Sequence, residues 1–381
     1  MRVITLLQPK RIVFGNGCAL QCADELGALA LKRAFLVTSP PIVGLAEPIA
    51  AALRAAGVAV TVYAGIAAEP AVATLEAALQ AARAAQPDAV VGLGGGSAMD
   101  VAKLVAALLG STQDMREALG INQMAARGTY LACLPTTAGT GSEVSPNAVL
   151  IDEAAGLKKT TVSPHLIPDA AYVDPLLTLS VPPAVTAATG MDALTHCIET
   201  CANRVAHPMV DLYALQGVRL IGANLERAVE KGDDQEARTS MALGSLYGGL
   251  GLGPVNTAAV HALAYPLGVE FHVAHGLSNA MLLPHVVQFN LPAAPERYAE
   301  IALALGVEPG ASALETAQRG VERIRELSRK CGIPAGLSQL GIPAEAIPRM
   351  AQAAMQVTRI LRNNLREVTA ADAEAIYRAA F

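Results

Sequence analysis

Asp192 and His196 stand four apart in Gly190-Met191-Asp192-Ala193-Leu194-Thr195-His196. On a helix that spacing puts a carboxylate and an imidazole on one face, where both can grip one ion. His261 and His275 follow fourteen residues apart. One carboxylate and three imidazoles form a borderline-hard N/O set suited to Fe²⁺ or Zn²⁺. An open position beside them would be a Lewis-acid site for a substrate oxygen. Spacing alone also allows the plainer reading, separately satisfied polar residues in a core. Both histidines lie in a stretch, Thr239 to Pro295, whose sole Asp, Glu, Lys or Arg is Glu270, and which also holds His272 and His285. Scattered Gly, Pro, Asn and His argue against a membrane span, so the stretch reads as a buried central segment.

Two loops look fit for phosphate. Val90-Val91-Gly92-Leu93-Gly94-Gly95-Gly96-Ser97 sits between an expected strand and helix. Glycines let a backbone approach an anion closely, and a helix N-terminus offers it free N–H groups. Ser97 is expected as the helix N-cap, with Asp100 completing a pattern like a capping box. The GxGxxG fingerprint is not met, because Ser97 replaces the third glycine. A plain tight turn is the alternative. The second loop, Leu134 to Val144, carries Thr136, Thr137, Thr140 and Ser142 with two glycines. Local hydroxyl turns are its alternative. Together the loops suggest a dinucleotide spanning two strand ends at a switch point.

The elements that must position these residues change character along the chain. Arg33–Thr38, Val58–Tyr63, Asp88–Leu93 and Tyr130–Leu134 are strand-like runs alternating with helical patterns at Glu47–Ala56, Val72–Ala85 and up to Leu109. That alternation means βαβ units and a parallel sheet. After about Pro183 the strand-like runs vanish and Ala- and Leu-rich helices dominate. The expected organisation is an α/β domain over 1–183 and an all-α domain over 184–381. The 381 residues are enough for two or three domains with sizeable cores. A net charge of −5 gives no footprint for nucleic acid or membrane binding, and aromatic residues at 3% with no Trp leave little for base stacking. Six cysteines without a CxxC read as reduced thiols in a cytoplasmic protein. No signal peptide is expected, since the N-terminus lacks an unbroken apolar run.

GGGSAMDVAK, LPTTAGTGSEVSPNAVL, GMDALTHCIE and HALAYPLGVEFHVAHG resemble the iron-containing (group III) alcohol dehydrogenases, and the resemblance runs from RIVFGNG at Arg11 to the REVTAADAEAIYRAA tail. It implies the dehydroquinate synthase-like fold of that family: an N-terminal dinucleotide-binding domain and a helical metal-binding and substrate domain. It implies Fe²⁺ (or Zn²⁺) on Asp192, His196, His261 and His275. It implies NAD(H) contacts at Gly95, Gly96 and Ser97 for the pyrophosphate, and at Thr136, Thr137 and Thr140. Val149, Lys158 and Leu176 fall on the nicotinamide and ribose side, with Asn147 near the substrate. A small alcohol or aldehyde as substrate and a homodimer or larger homo-oligomer complete the expectation.

The chain departs from that pattern at three places. Ser39 follows Val37-Thr38 where NAD-preferring members often carry Asp; an acid there holds the adenosine ribose and repels a 2′-phosphate, so NADP(H) stays open. Glu69 precedes Pro70 where Asn is common, and its charge favours NAD. Tyr265 replaces a second histidine, four after the third ligand, to which proton relay is ascribed; Tyr265 and His272 are the two candidates for that role. Rival assignments are a maleylacetate reductase-like or hydroxyacid–oxoacid transhydrogenase-like enzyme, a dehydroquinate synthase-like lyase, and a non-catalytic binding protein. An anionic substrate calls for a cleft cation, which 239–295 does not offer.

Overall fold

The computed structural model describes residues 2–67, 69–153 and 157–381. The chain divides into two compact units. One comprises Leu6–Thr137 and Gly141–Leu179; the other holds Ser180–Phe381, the first residues up to Thr5, and the short segment Ala138–Thr140.

The first unit is built on a six-stranded parallel sheet. In chain order its elements are β1 (Arg11–Phe14), α1 (Gln21–Ala28), β2 (Arg33–Val37), α2 (Val43–Ala55), β3 (Ala59–Tyr63), α3 (Val72–Ala85), β4 (Ala89–Gly94), α4 (Gly96–Leu108), the single turn α5 (Met115–Ala118), β5 (Tyr130–Pro135), the hairpin β6 (Asn147–Asp152) and β7 (Leu157–Val162), and β8 (Ala170–Val173). The spatial order is β1-β8-β5-β4-β2-β3, with β6 and β7 forming a separate antiparallel pair. The strands are apolar on both faces because helices cover both. Phe35 and Val37 pack with Leu75, Leu79 and Met99 on one side, whereas Ala34 and Leu36 pack with Leu26, Ile49 and Leu53 on the other. Each large apolar side chain buried this way contributes roughly 1.5–3 kcal/mol. Gly92 sets the approach of α4 to β4: a Cβ there would lie 2.8 Å from the Ala102 Cβ. β2 pairs with β3 on one side and β4 on the other, so the order reverses between β2 and β4. Ser39 and the glycine loop therefore flank a switch point at the carboxyl ends of those strands.

The second unit is helical: α6 (Pro183–Cys201), α7 (Pro208–Glu230), α8 (Gln235–Leu252), α9 (Ala259–Phe271), α10 (His275–Asn290), α11 (Pro295–Ala304), α12 (Ala313–Lys330), α13 (Ile347–Ala354), α14 (Thr358–Leu361) and α15 (Ala370–Ala379). One core cluster of buried aliphatic residues runs through it. Glycines on α8 let it lie directly on its neighbours. A Cβ on Gly244 would sit 2.6 Å from Ile221 Cγ1, one on Gly248 3.1 Å from His196 Cβ, and one on Gly251 2.8 Å from Thr200 Cγ2. No helix among the described residues is long and apolar enough to cross a membrane. The change of unit falls at Ser180, three residues before α6 begins.

Candidate metal and cofactor sites

α6 presents Asp192 and His196 on one face, as their spacing requires, and both are buried. His261 lies in the first turn of α9, and His275 opens α10. Asp192, His261 and His275 each place a ligand atom within 4.8 Å of the other two. His196 joins from the side, its Nε2 3.0 Å from His261 Nε2 and its ring stacked on that imidazole at 4.7 Å. His261 Nε2 and His275 Nε2 lie 3.6 Å and 3.7 Å from Asp192 Oδ1. A tetrahedral ion with bonds of ~2.1 Å has ligand–ligand edges of about 3.4 Å, so these separations fit one.

The hydrogen bonds agree with that fit. Gly139 O accepts from His196 Nδ1 at 3.1 Å, and Glu199 Oε2 accepts from His261 Nδ1 at 2.6 Å. Each acceptor fixes the ring proton on Nδ1 and leaves Nε2 facing the group. Two Nε2 atoms 3.0 Å apart repel unless a proton or cation lies between them. Burial works against a charged His261, yet Glu199 and Asp192 outweigh it and push its pKa up to about 9. Burial also opposes the Asp192 carboxylate, but His196, His275 and His261 hold it far below the ordinary range. Asn279 marks the same demand for positive charge. Its Nδ2 lies 2.7 Å from Asp192 Oδ1, 3.1 Å from His261 Nε2 and 3.2 Å from His275 Nε2, while its Oδ1 is buried without a partner. The His275 side chain is 31% exposed against 2% for Asp192, so the group opens on the His275 side.

The residues expected to hold a dinucleotide cluster at strand ends of the first unit. Ser39 follows β2, Gly95 to Ser97 follow β4, Thr136 and Thr137 follow β5, and Leu176 follows β8. Leu176 is pinned where its N–H donates to Asp174 Oδ1 at 3.0 Å. No side chain caps α4, whose N-cap is Gly95; Ser97 is its second residue rather than its cap. A Cβ on Gly95 would lie 3.4 Å from Thr137 Oγ1, so glycine keeps the space between the loops clear. Asp100 does not close a capping box. It accepts from Ser142 Oγ at 2.5 Å and Val149 N–H at 2.9 Å. Lys103, fully buried, donates to Ser142 O, Ser142 Oγ and Asn147 O at 2.9, 3.0 and 2.5 Å. Burial raises the Asp100 pKa and lowers that of Lys103, each opposed by the partner's charge. Asn147, Val149 and Lys158 share one face of the hairpin, given the Val149–Thr160 and Ile151–Lys158 register. Glu69 donates its N–H to Ser97 Oγ at 3.3 Å and pairs with Lys158 at 3.0 Å. Its carboxylate is thus engaged with Lys158, one of the residues expected to face the cofactor. Thr140 clusters with the helical unit, apart from Thr136 and Thr137.

Residues 9–175 match the iron-containing alcohol dehydrogenases, and residues 186–381 match the C-terminal part of the same Fe-containing alcohol dehydrogenase family. The chain belongs to the iron-containing alcohol dehydrogenase family. It is 40% identical to the long-chain-alcohol dehydrogenase 1 of Geobacillus thermodenitrificans, over 100% of this chain and 98% of that one. The crystal structure of a 1,3-propanediol oxidoreductase superposes with a TM-score of 0.97 at 35% identity, covering 100% of both chains. Sulfoacetaldehyde reductase from Bifidobacterium kashiwanohense, solved in complex with NAD⁺, superposes at 0.90 with 30% identity, covering 100% of this chain and 99% of that one.

Within this family member the two relay candidates occupy different settings. Tyr265 is half-buried one helical turn beyond His261, its ring 6.3 Å from that of His275. His272 is exposed and caps the end of α9 at φ 54°, its backbone N–H donating to Leu267 O. The low charge of 239–295 does not describe the whole neighbourhood. Arg359 on α14 is half-buried within electrostatic reach of Tyr265; burial lowers its pKa and the Tyr265 phenol opposes that. Sequence reasoning passed over Glu199, Asn279, Gly139 and Arg359. The spacing of Glu199, seven after Asp192 and on the same helix face, was its one legible signal.

Proposed function

We propose that this protein is a divalent-metal-dependent, NAD(H)-linked alcohol dehydrogenase interconverting a small primary alcohol, or related hydroxy compound, and its aldehyde or ketone by hydride transfer. The convergence of buried Asp192 and His261 with the more exposed His275, and His196 alongside, carries this reading. When bound, Fe²⁺ or Zn²⁺ supplies Lewis acidity toward a substrate oxygen, and the nicotinamide exchanges the hydride. The chain supplies position and protons. Asp192 and the three imidazoles hold the cation. The more exposed His275 borders the side from which a substrate enters. Tyr265, against that ring, is the better placed proton relay, since its phenol both donates and accepts. The open N-terminus of α4 and the hydroxyls of Ser97, Thr136 and Thr137 suit a pyrophosphate. NAD(H) is supported by the NAD⁺ complex of the sulfoacetaldehyde reductase relative; NADP(H) is the alternative, because Ser39 offers no charge against a 2′-phosphate. The reading includes a cytoplasmic setting, supported by six unpaired thiols, and a homodimer or larger homo-oligomer, supported by the family resemblance.

A panel of alcohols, diols, long-chain alcohols and sulfoacetaldehyde, assayed with NAD(H) and NADP(H) after loading with Fe²⁺ or Zn²⁺, tests the assignment. His261→Ala should lower turnover by more than ~100-fold, as expected when several kcal/mol of Lewis-acid stabilisation is lost. Undiminished turnover with metal still bound would overturn the ligand assignment.

A further inference from the structure

We propose that Glu199 is a positioning residue of the metal centre, which locks His261 with Nε2 toward the cation and supplies the second buried negative charge that balances a divalent ion. The inference rests on reading Asp192, His196, His261 and His275 as that centre.

Glu199 is carried by α6, three residues after His196, and is only 4% exposed. Both of its oxygens are used on the same short stretch of α9. Oε2 accepts from His261 Nδ1 and Oε1 accepts from the Val260 N–H, each at 2.6 Å. The N-cap of α9 is Ala258, which has no side chain able to cap, so a carboxylate from another helix does that work at the positive end of the helix dipole. The same carboxylate ties two supports of the site together: α6, with Asp192 and His196, and the first turn of α9, with His261.

An ionised carboxylate only accepts, so the proton of the neutral ring must reside on Nδ1 and the Nε2 lone pair must face Asp192 and His196. A neutral acceptor would permit the same bond but would bring no charge. Asp192 and Glu199 are two buried carboxylates, and the ion pairs they make among the described residues are with imidazoles alone. Once those imidazoles are neutral ligands, two negative charges are left, which a dication balances. Such outer partners typically change metal affinity by 10–100-fold when removed.

Glu199→Gln keeps the shape while removing the charge and one of the two acceptors, because its amide nitrogen only donates and must face either His261 Nδ1 or the Val260 N–H. Zn²⁺ affinity is measured by chelator competition on wild type and variant, with the melting temperature of each metal-free protein and the visible spectrum of the Co²⁺ forms. The expected result is a 10–100-fold weaker Zn²⁺ affinity and an altered Co²⁺ spectrum, with a modest fall in metal-free melting temperature from the one lost acceptor. Equal affinity in both proteins would overturn the proposal while leaving the metal reading intact. A wild type that binds neither Zn²⁺ nor Co²⁺ would overturn both. The wild-type protein provides a further check if the variant does not fold. ¹⁵N NMR of the Zn²⁺-loaded protein should show His261 protonated at Nδ1, and a ring found protonated at Nε2 or bare at Nδ1 refutes the assignment.

Discussion

Replacing Gly276 with Ala should loosen the metal centre without altering any ligand. Gly276 is the second residue of α10, directly after His275, and rests on α6. A Cβ at this position would lie 2.5 Å from Ala188 O, 2.8 Å from Ala188 C and 3.3 Å from Asp192 Cβ. Real Cβ atoms keep at least 3.0 Å from such neighbours, so the contact at 2.5 Å must open by 0.5 Å or more. The obstacle is helix backbone, not a flexible tip, so the two helices themselves must part. Overpacking of this kind costs about 1–3 kcal/mol. Parting α10 from α6 draws His275 away from Asp192, which now stand 3.7 Å apart at Nε2 and Oδ1. Metal–ligand distances tolerate only ~0.2 Å, so a shift of this size falls on binding. Zn²⁺ affinity should drop by ~10-fold or more, since each 1.4 kcal/mol is a factor of ten. Chelator competition reads that loss, and urea unfolding of the metal-free protein reads the overpacking. An alanine variant with wild-type affinity and an unchanged urea midpoint would show that the helix pair adapts freely, and the close approach would then play no part in holding the ligands.

Two further outcomes concern the first unit. Burial pushes the Glu143 carboxyl up to about 7 from an ordinary value of 4.5. The folded chain then binds the proton more tightly than the unfolded one, so stability is lost as pH rises from 4.5 through 7. Glu143→Gln should therefore stabilise the protein at pH 8, by at most about 3 kcal/mol at 1.36 kcal/mol per pH unit, and have little effect near pH 4.5, as read by urea unfolding at both values. Lys103→Met strands the Asp100 carboxylate and frees the oxygens of Ser142 and Asn147, so a loss of about 3–5 kcal/mol in urea unfolding is expected, with weaker NAD⁺ binding by calorimetry; unchanged stability would mean that Lys103 is not the tie between α4 and the hairpin.

β2, β4 and β5 were legible because their apolar runs are continuous, as strands covered on both faces must be, and the edge strand β3 because Val60, Thr61 and Val62 are β-branched. β8 reads Ala-Ala-Tyr-Val and β1 Arg-Ile-Val-Phe, too short or too alanine-rich to stand out from their surroundings. β6 and β7 escaped notice because β7 carries Lys158, Lys159, Thr160 and Thr161 in succession, a polar run that pairing rather than pattern makes a strand. At the metal centre, Asp192 and His196 declare themselves by helical spacing, whereas nothing local links them to His261 and His275. Only the long motif resemblance joined the four. Glu199 and Asn279 stayed hidden because each acts on residues far along the chain, and the Gly139 carbonyl is backbone, which no residue type announces. Ser97 looked like a cap because serine so often is one; the cap is Gly95 and the helix starts two residues earlier.

The glycine-lined inner face of α8 bears on how this protein can adapt to heat. Gly-to-Ala exchange within helices is a general route to thermostability, contributing about 0.5–1 kcal/mol per site where space allows. At Gly244 and Gly251 that route is obstructed, because a methyl group would come within 2.6 Å of Ile221 and 2.8 Å of Thr200, and at Gly248 it would lie 3.1 Å from the Cβ of His196, which must give by a few tenths of an ångström. At Gly248 the first atom met belongs to His196, one of the proposed metal ligands, so an exchange at that site should be read by metal affinity as well as by the melting curve. Lineages of this enzyme moving to hotter habitats must harden other parts of the helical unit, and a thermostability screen that scans glycines without regard to position will lose activity along α8.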